Sequence, residues 1–255
     1  MQDAKSAAFS KVPEVTLGFW VIKILATTLG ETGGDAVTMS MNLGYAVGTL
    51  IFAAIFLIAV AAQMRARRFH PSLYWLTIVA TTTVGTTLAD FADRSLGVGY
   101  PGGSALLAAL LAASLFIWRV SEGTVSVDSV TTPRVEVFYW ATILFSQTLG
   151  TALGDWMADS NGLGYSGGAL LFGAALAALA LAYYATNLSR VALFWGAFIL
   201  TRPLGATLGD WLDKPEALGG LAISRYMASG VFVVAMVALI LLLPQRAGQH
   251  PSASR

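Results

Sequence analysis

The chain has 255 residues, 56% of them hydrophobic and 11% charged, with 15 Lys and Arg against 14 Asp and Glu for a formal net charge of +1. A soluble domain carries about 25% charged residues, so that class is excluded, and a near-neutral chain without a basic block offers no footprint for nucleic acid. The absence of Cys removes disulfides, thiolate metal centres and cysteine nucleophiles, and with only His70 and His250 no imidazole-based zinc or haem site is expected.

A helix needs about 20 mostly apolar residues to cross a hydrocarbon core about 30 Å thick. Residues 1–12 are polar and show no signal-peptide pattern. The apolar stretches then predict eight spans in chain order: 14–37, 45–64, 71–92, 100–118, 135–158, 165–184, 190–212 and 221–243. None shows the alternation of a barrel strand. The expected fold is an all-α membrane protein with one transmembrane domain over 14–243 and tails at 1–13 and 244–255.

Orientation follows from the basic residues. Lys5, Lys11, Arg65, Arg67, Arg68, Arg119, Arg134, Arg190, Arg246 and Arg255 fall on one side, and Arg94, Lys214 and Arg225 on the other. The richer side is expected to be cytoplasmic and to hold both termini. Lys23 and Arg202 fall within spans.

Four segments answer one another: TTLGETGGDAV from Thr27, TTVGTTLADFA from Thr82, QTLGTALGDWM from Gln147 and RPLGATLGDWL from Arg202. With Gly30, Gly85, Gly150 and Gly205 as anchors, the separations are 55, 65 and 55 residues, so the two halves are offset by 120. Ten residues before each anchor stands a Trp (Trp20, Trp75, Trp140, Trp195), and five after it an Asp (Asp35, Asp90, Asp155, Asp210). Fourteen after it stands a Gly (Gly44, Gly99, Gly164, Gly219), expected to form the turn to the next helix; Tyr45, Tyr100 and Tyr165 follow in three units and Gly220 in the fourth. The chain therefore reads as four parallel two-helix repeats, at about 14–64, 71–118, 135–184 and 190–243. Parallel copies favour pseudo-rotation about the membrane normal, unlike inverted-repeat transporters.

With this register of Trp, Gly and Asp, the sequence resembles a family of bacterial integral membrane proteins built from four tandem two-helix repeats of unknown function, each with a characteristic Trp. The resemblance covers about 14–243 and implies eight transmembrane helices in the bacterial inner membrane. It carries over no activity.

The second helix of each unit is almost purely apolar, as in TLIFAAIFLIAVAA and GALLFGAALAALALA, and suits lipid. In the first helix, positions −3, +1 and +5 from the anchor share one face. They are Thr27, Glu31 and Asp35; Thr82, Thr86 and Asp90; Gln147, Thr151 and Asp155; Arg202, Ala206 and Asp210, with Lys23 one turn earlier. Polar side chains at membrane depth turn to the bundle interior, so the odd helices are expected inside and the even helices outside. Small residues four apart, such as Gly30 and Gly34 or Gly205 and Gly209, allow close helix contact. The register Trp residues are expected as an anchoring belt at the inner interface, while Trp156 and Trp211 are candidates to wall the polar site.

Fifteen residues from Trp20 to Asp35 cover about 22 Å of helix, which places the register Asp set in the outer part of the membrane core. Glu31, Asp35, Asp90, Asp93, Asp155, Asp159, Asp210 and Asp213 form the candidate metal-ligating set, and Lys23, Thr27, Thr82, Thr86, Gln147, Thr151 and Arg202 the candidate transport pathway. Eight acids against Lys23 and Arg202 leave a balance of minus six, which disfavours an anion site. Oxygen donors suit Mg, Ca or Mn, and clustered carboxylates also take up protons. The expected function is membrane transport of a cation, with a divalent metal preferred, by a channel-like or proton-coupled route. No P-loop, HExxH or Ser–His–Asp set is present, so neither an ATP-driven pump nor an enzyme is expected, and no organic cofactor. The expected partners are the bilayer and an inorganic cation or proton; a homo-oligomer stays open. The alternative is a structural or signalling membrane module whose acids only pair with neighbouring cations.

Overall fold

The first helix of each unit starts where local chemistry satisfies its free N–H groups. Thr16, Thr132 and Ser189 accept bonds from the backbone N–H groups of Phe19, Val135 and Ala192, and Pro71 and Pro133 occupy first-turn positions that need no N–H. The structure, a computed structural model, describes residues 9–249; the ends at 1–8 and 250–255, with Lys5, His250 and Arg255, lie outside the described residues. Eight α-helices result among the described residues: α1 (Leu17–Asp35), α2 (Gly44–Arg65), α3 (Pro71–Asp90), α4 (Tyr100–Glu122), α5 (Pro133–Asp155), α6 (Gly164–Ala185), α7 (Arg190–Asp213) and α8 (Arg225–Leu242).

In the first three units the register Asp ends the α-helix and one π-helical turn follows, at Ala36–Ser40, Phe91–Ser95 and Trp156–Ser160. The fourth unit differs because Pro215 cannot continue a helix. There the chain folds back, and the N–H groups of Leu221 and Ile223 bond the carbonyls of Trp211 and Leu212 at 2.8 Å each. This return segment moves the start of α8 to Arg225, four residues after the expected 221. The four register glycines make the turns as expected, with φ of +76°, +75°, +65° and +85° at Gly44, Gly99, Gly164 and Gly219, a backbone region that disfavours a Cβ.

The odd helices form a closed ring, α1 to α3 to α5 to α7 and back to α1. Each even helix packs on the odd helix of the following unit: α2 on α3, α4 on α5, α6 on α7 and α8 on α1. The units are thus interlocked, and no repeat buries its own face alone. Each odd helix buries twelve to fifteen residues, and each even helix two to five. Leu57, Ile58, Phe116, Leu170 and Leu241 of the even helices stay exposed. By length and composition, five helices are apolar enough to cross a membrane: α2, α4, α6, α7 and α8. Helices α1, α3 and α5 are more polar because their polar face turns to protein.

The small residues explain the ring. A Cβ placed on Gly30 would overlap Thr82, on Gly85 would press the backbone at Gln147, on Gly150 would overlap Arg202, and on Gly205 would overlap Thr27. Each anchor glycine therefore receives the −3 residue of the next unit, and the fourth unit returns to the first. One turn on, Gly34 faces Thr86, Gly154 faces Ala206 and Gly209 faces Glu31.

The two ends of the ring differ. At one, the tail end, strand β1 (Phe9–Pro13) pairs antiparallel with β2 (Ala247–Gln249). Residues 9–13 are thus no free tail. Ser10 Oγ donates to the Val127 carbonyl at 2.8 Å, and Lys11 Nζ lies 2.6 Å from Glu136 Oε1 and 3.1 Å from the Met64 carbonyl. Behind the strands, Trp75, Trp140 and Trp195 are 1%, 3% and 4% exposed, which corrects the expected interfacial belt; Trp20 is half-buried. Position −10 lies seven residues, two turns, before the inward −3 stripe, so the Trp shares its face. The rings pack edge to face, as with Trp118 and Trp195 at 5.7 Å, and Tyr74 and Tyr139 share a hydroxyl contact of 2.7 Å. This aromatic floor closes the axis at the tail end.

Candidate functional site: a layered polar axis

Because the four odd helices repeat one register around a ring, their polar stripes stack as layers along its axis. The outermost is the +5 layer at the turn end. Asp35, Asp90, Asp155 and Asp210 are 1–4% exposed, and each is paired. Lys214 Nζ lies 2.6 Å from Asp35 Oδ2 and 3.0 Å from Asp210 Oδ1. Arg94 lies 2.8 Å from Asp90 Oδ1 and 3.2 Å from Asp155 Oδ2. Arg225 lies 3.2 Å from Asp213 and 3.7 Å from Asp35.

Lys214 and Arg94 occupy equivalent positions 120 residues apart, each four residues after its own register Asp and reaching the Asp of the next unit. The layer is therefore pseudo-twofold: two tethered cations, each clamping two carboxylates. Burial alone would depress the Lys214 ammonium, but Asp210, Asp35 and Asp213 outweigh it and hold Lys214 well above the ordinary lysine value. For Arg94 the same balance, between burial and the charges of Asp90 and Asp155, raises an already strong base.

The +1 layer lies one turn deeper. The fully buried Arg202 reaches it from α7, with Nη2 2.7 Å from Glu31 Oε2 on α1 and in hydrogen-bond contact with Thr86 on α3 and Thr151 on α5. One guanidinium thus touches all three other helices of the ring. Beneath it, in the −3 layer, Thr27 Oγ1 donates to the carbonyl of Thr201 at 3.1 Å. Thr82 Oγ1, both amide atoms of Gln147, and Nε and Nη1 of Arg202 are buried without a hydrogen-bond partner. Lys23, one turn further, is fully buried, its Nζ unpartnered and 4.3 Å from the centroid of the Phe198 ring.

The expected pathway residues Lys23, Thr27, Thr82, Thr86, Gln147, Thr151 and Arg202 are all buried and line this axis. The eight acids do not form one site. Among the described residues, Glu31, Asp35 and Asp210 are the acids whose ligand oxygens come within 4.8 Å of one another. Asp90 and Asp155 belong to the Arg94 clamp, and Asp159 accepts from Tyr100 at 3.1 Å. Asp213 pairs with Arg225, and Asp93 lies against Gly103, where burial raises its carboxyl. Trp156 and Trp211 remain half-exposed. The balance of minus six fails as well, because the fold brings Arg94, Lys214 and Arg225 onto the acids and leaves Lys23 and Arg202 a layer below. Arg94 and Lys214 were legible as i,i+4 partners of Asp90 and Asp210; what hid them was their assignment to loops outside the membrane.

A family model matches the chain four times, at residues 18–69, 73–124, 138–189 and 193–246. The chain belongs to the family described as Repeat of Unknown Function (DUF347). Each match begins within the first six residues of an odd helix and ends beyond the following even helix. No curated protein and no solved structure matches the chain.

Proposed function

We propose that this protein is a cation carrier of the bacterial inner membrane, with all eight helices spanning it, the tail end cytoplasmic and the turn end outside. The observation that carries the reading is the Lys214 clamp: an ammonium held by Asp35 and Asp210, with Glu31 beside them. Such a site is built for a positive charge, and an incoming cation competes with Lys214 for it. Three carboxylates suit Mg, Ca or Mn, and a proton neutralises the same oxygens. A channel-like route is disfavoured, since Arg202 and Lys23 set positive charge across the axis below the acids and the aromatic floor closes it. A carrier that rearranges around the site meets neither obstacle.

The test is flux of Mg, Ca, Mn and protons in vesicles reconstituted with the protein. Asp210→Asn is expected to abolish flux with normal folded yield, and Lys214→Met to tighten cation binding. Reporters fused after Arg68 and Arg134 are expected to score cytoplasmic, and one near Asn161 external. A second reading has support of its own, because every register Asp sits in an ion pair: the protein is a non-transporting structural or signalling module. On that reading no ion moves, and Asp210→Asn lowers the melting temperature instead.

A further inference from the structure

The middle of the axis holds more hydrogen-bond donors than the protein satisfies. Lys23 Nζ, Arg202 Nε and Nη1, Gln147 Nε2 and Thr82 Oγ1 are all buried and unpartnered, and their residues are 0% exposed. Unmade bonds of this kind are rare in folded proteins and cluster where a water or ligand belongs. They share a place: Thr82, Gln147 and Arg202 form the −3 layer on three adjacent helices of the ring, each seated on the anchor glycine of the preceding helix. Lys23 stands one turn below on the fourth.

The charges there do not balance. Glu31 pairs with Arg202; the register Asp residues are clamped by Lys214 and Arg94. Among the described residues Lys23 forms no ion pair, and its neighbours at the same level, Ile78, Ile143 and Phe198, are apolar. A buried amine without a counter-charge either gives up its proton or holds an anion, and the unpartnered Arg202 and Gln147 N–H groups of the layer above it call for the anion. The unpartnered groups of this layer are N–H and O–H donors apart from Gln147 Oε1; Ser146 Oγ, next in sequence to Gln147, is a further buried hydroxyl without a partner among the described residues.

We infer that the −3 layer is an enclosed binding site for a small monovalent anion of halide or nitrate size, held by Lys23, Arg202, Gln147 and Thr82. The single uncompensated charge selects a monovalent ion over sulfate or phosphate. Charge-assisted donors supply the affinity, and the aromatic floor below and the Glu31–Arg202 bridge above enclose the ion. This site is separate from the acidic clamp at the turn end and stands whether or not a cation is carried there.

The test is the thermal melting of the purified protein in detergent during titration with bromide, nitrate, sulfate and gluconate at constant ionic strength. Bromide and nitrate are expected to raise the melting temperature saturably, and sulfate and gluconate are not. Lys23→Met keeps the bulk of the side chain, removes the charge, and is expected to weaken bromide binding by about tenfold to a hundredfold, the scale of a lost charged hydrogen bond. Should Lys23→Met not fold, Gln147→Leu replaces it, with an expected weakening of several-fold. A melting shift that follows ionic strength regardless of the anion, one of equal size in wild type and variant, or none in the wild type overturns the proposal. In those cases the layer holds water, or Lys23 is neutral.

Discussion

The turn end and the tail end of the ring are built on one register and closed by opposite chemistry. At the turn end, four buried carboxylates meet two tethered cations, Lys214 and Arg94, that arrive from the segments following their helices. At the tail end the same face carries Trp75, Trp140 and Trp195 with Tyr74 and Tyr139, and a two-stranded clasp of the chain ends covers it. Charge pairs can be exchanged for another ion, whereas an interlocked aromatic cluster cannot. On the carrier reading, that asymmetry makes the turn end the place where a cation would exchange and the tail end the fixed part of the bundle.

The comparison is tested most strongly where the two ends meet. Arg202→Met leaves Glu31 charged and unpaired in the core and is expected to cost about 3–5 kcal/mol in detergent unfolding experiments. Adding Glu31→Gln to it is expected to recover most of the loss, because the stranded charge is then gone. A double variant no better than Arg202→Met would mean that Arg202 acts through its contacts with Thr86 and Thr151 rather than through the ion pair.

Next in size are the ring contacts on which both ends depend. Gly205→Leu drives a side chain into Thr27 and Gly150→Leu into Arg202; each is expected to cost about 1–3 kcal/mol or more by overpacking and to lower folded yield. Leu at Ala174, exposed on α6, is expected to change stability by less than about 0.5 kcal/mol. Equal yields of all three by size-exclusion chromatography would reverse the inside and outside assignment.

At the tail end, Tyr74→Phe removes one half of a buried hydroxyl pair and is expected to cost about 1–3 kcal/mol. The pair Tyr74→Phe with Tyr139→Phe should return close to wild type in the same unfolding assay, since no unpaired hydroxyl remains. Recovery would confirm that packing rather than the polar contact closes this end.

The smallest effect is expected at the rim of the turn end. Arg225 is 17% exposed in its side chain but Asp213, 3.2 Å away, is buried; because a Gln amide can still donate to that carboxylate, Arg225→Gln is expected to cost about 1 kcal/mol. A larger loss by thermal melting would show that Arg225 belongs to the Lys214 clamp through Asp35.

Several of these features were legible in the residues and several were not, for separable reasons. The inward stripe at −3, +1 and +5 could be read because an α-helix returns to one face every three to four residues, and the turn glycines because only a residue without Cβ sits easily at positive φ. The aromatic floor was misread as a membrane belt, since depth alone was weighed and the seven-residue offset from the stripe was not. The clasp of 9–13 with 247–249 had no local signal, because pairing between chain ends is a long-range event.

The sequence by itself determined the fourfold repeat, the buried and exposed helices, and the residues that line the axis, all of which follow from spacing within single helices. Only the tertiary structure decided that each even helix packs on the next unit, that Lys214 and Arg94 each clamp two Asp residues, and that Lys23 is left without a partner. Those outcomes depend on which neighbour the ring brings within about 3 Å, the distance at which charge and hydrogen bonding act, and no periodicity along one chain segment encodes that distance.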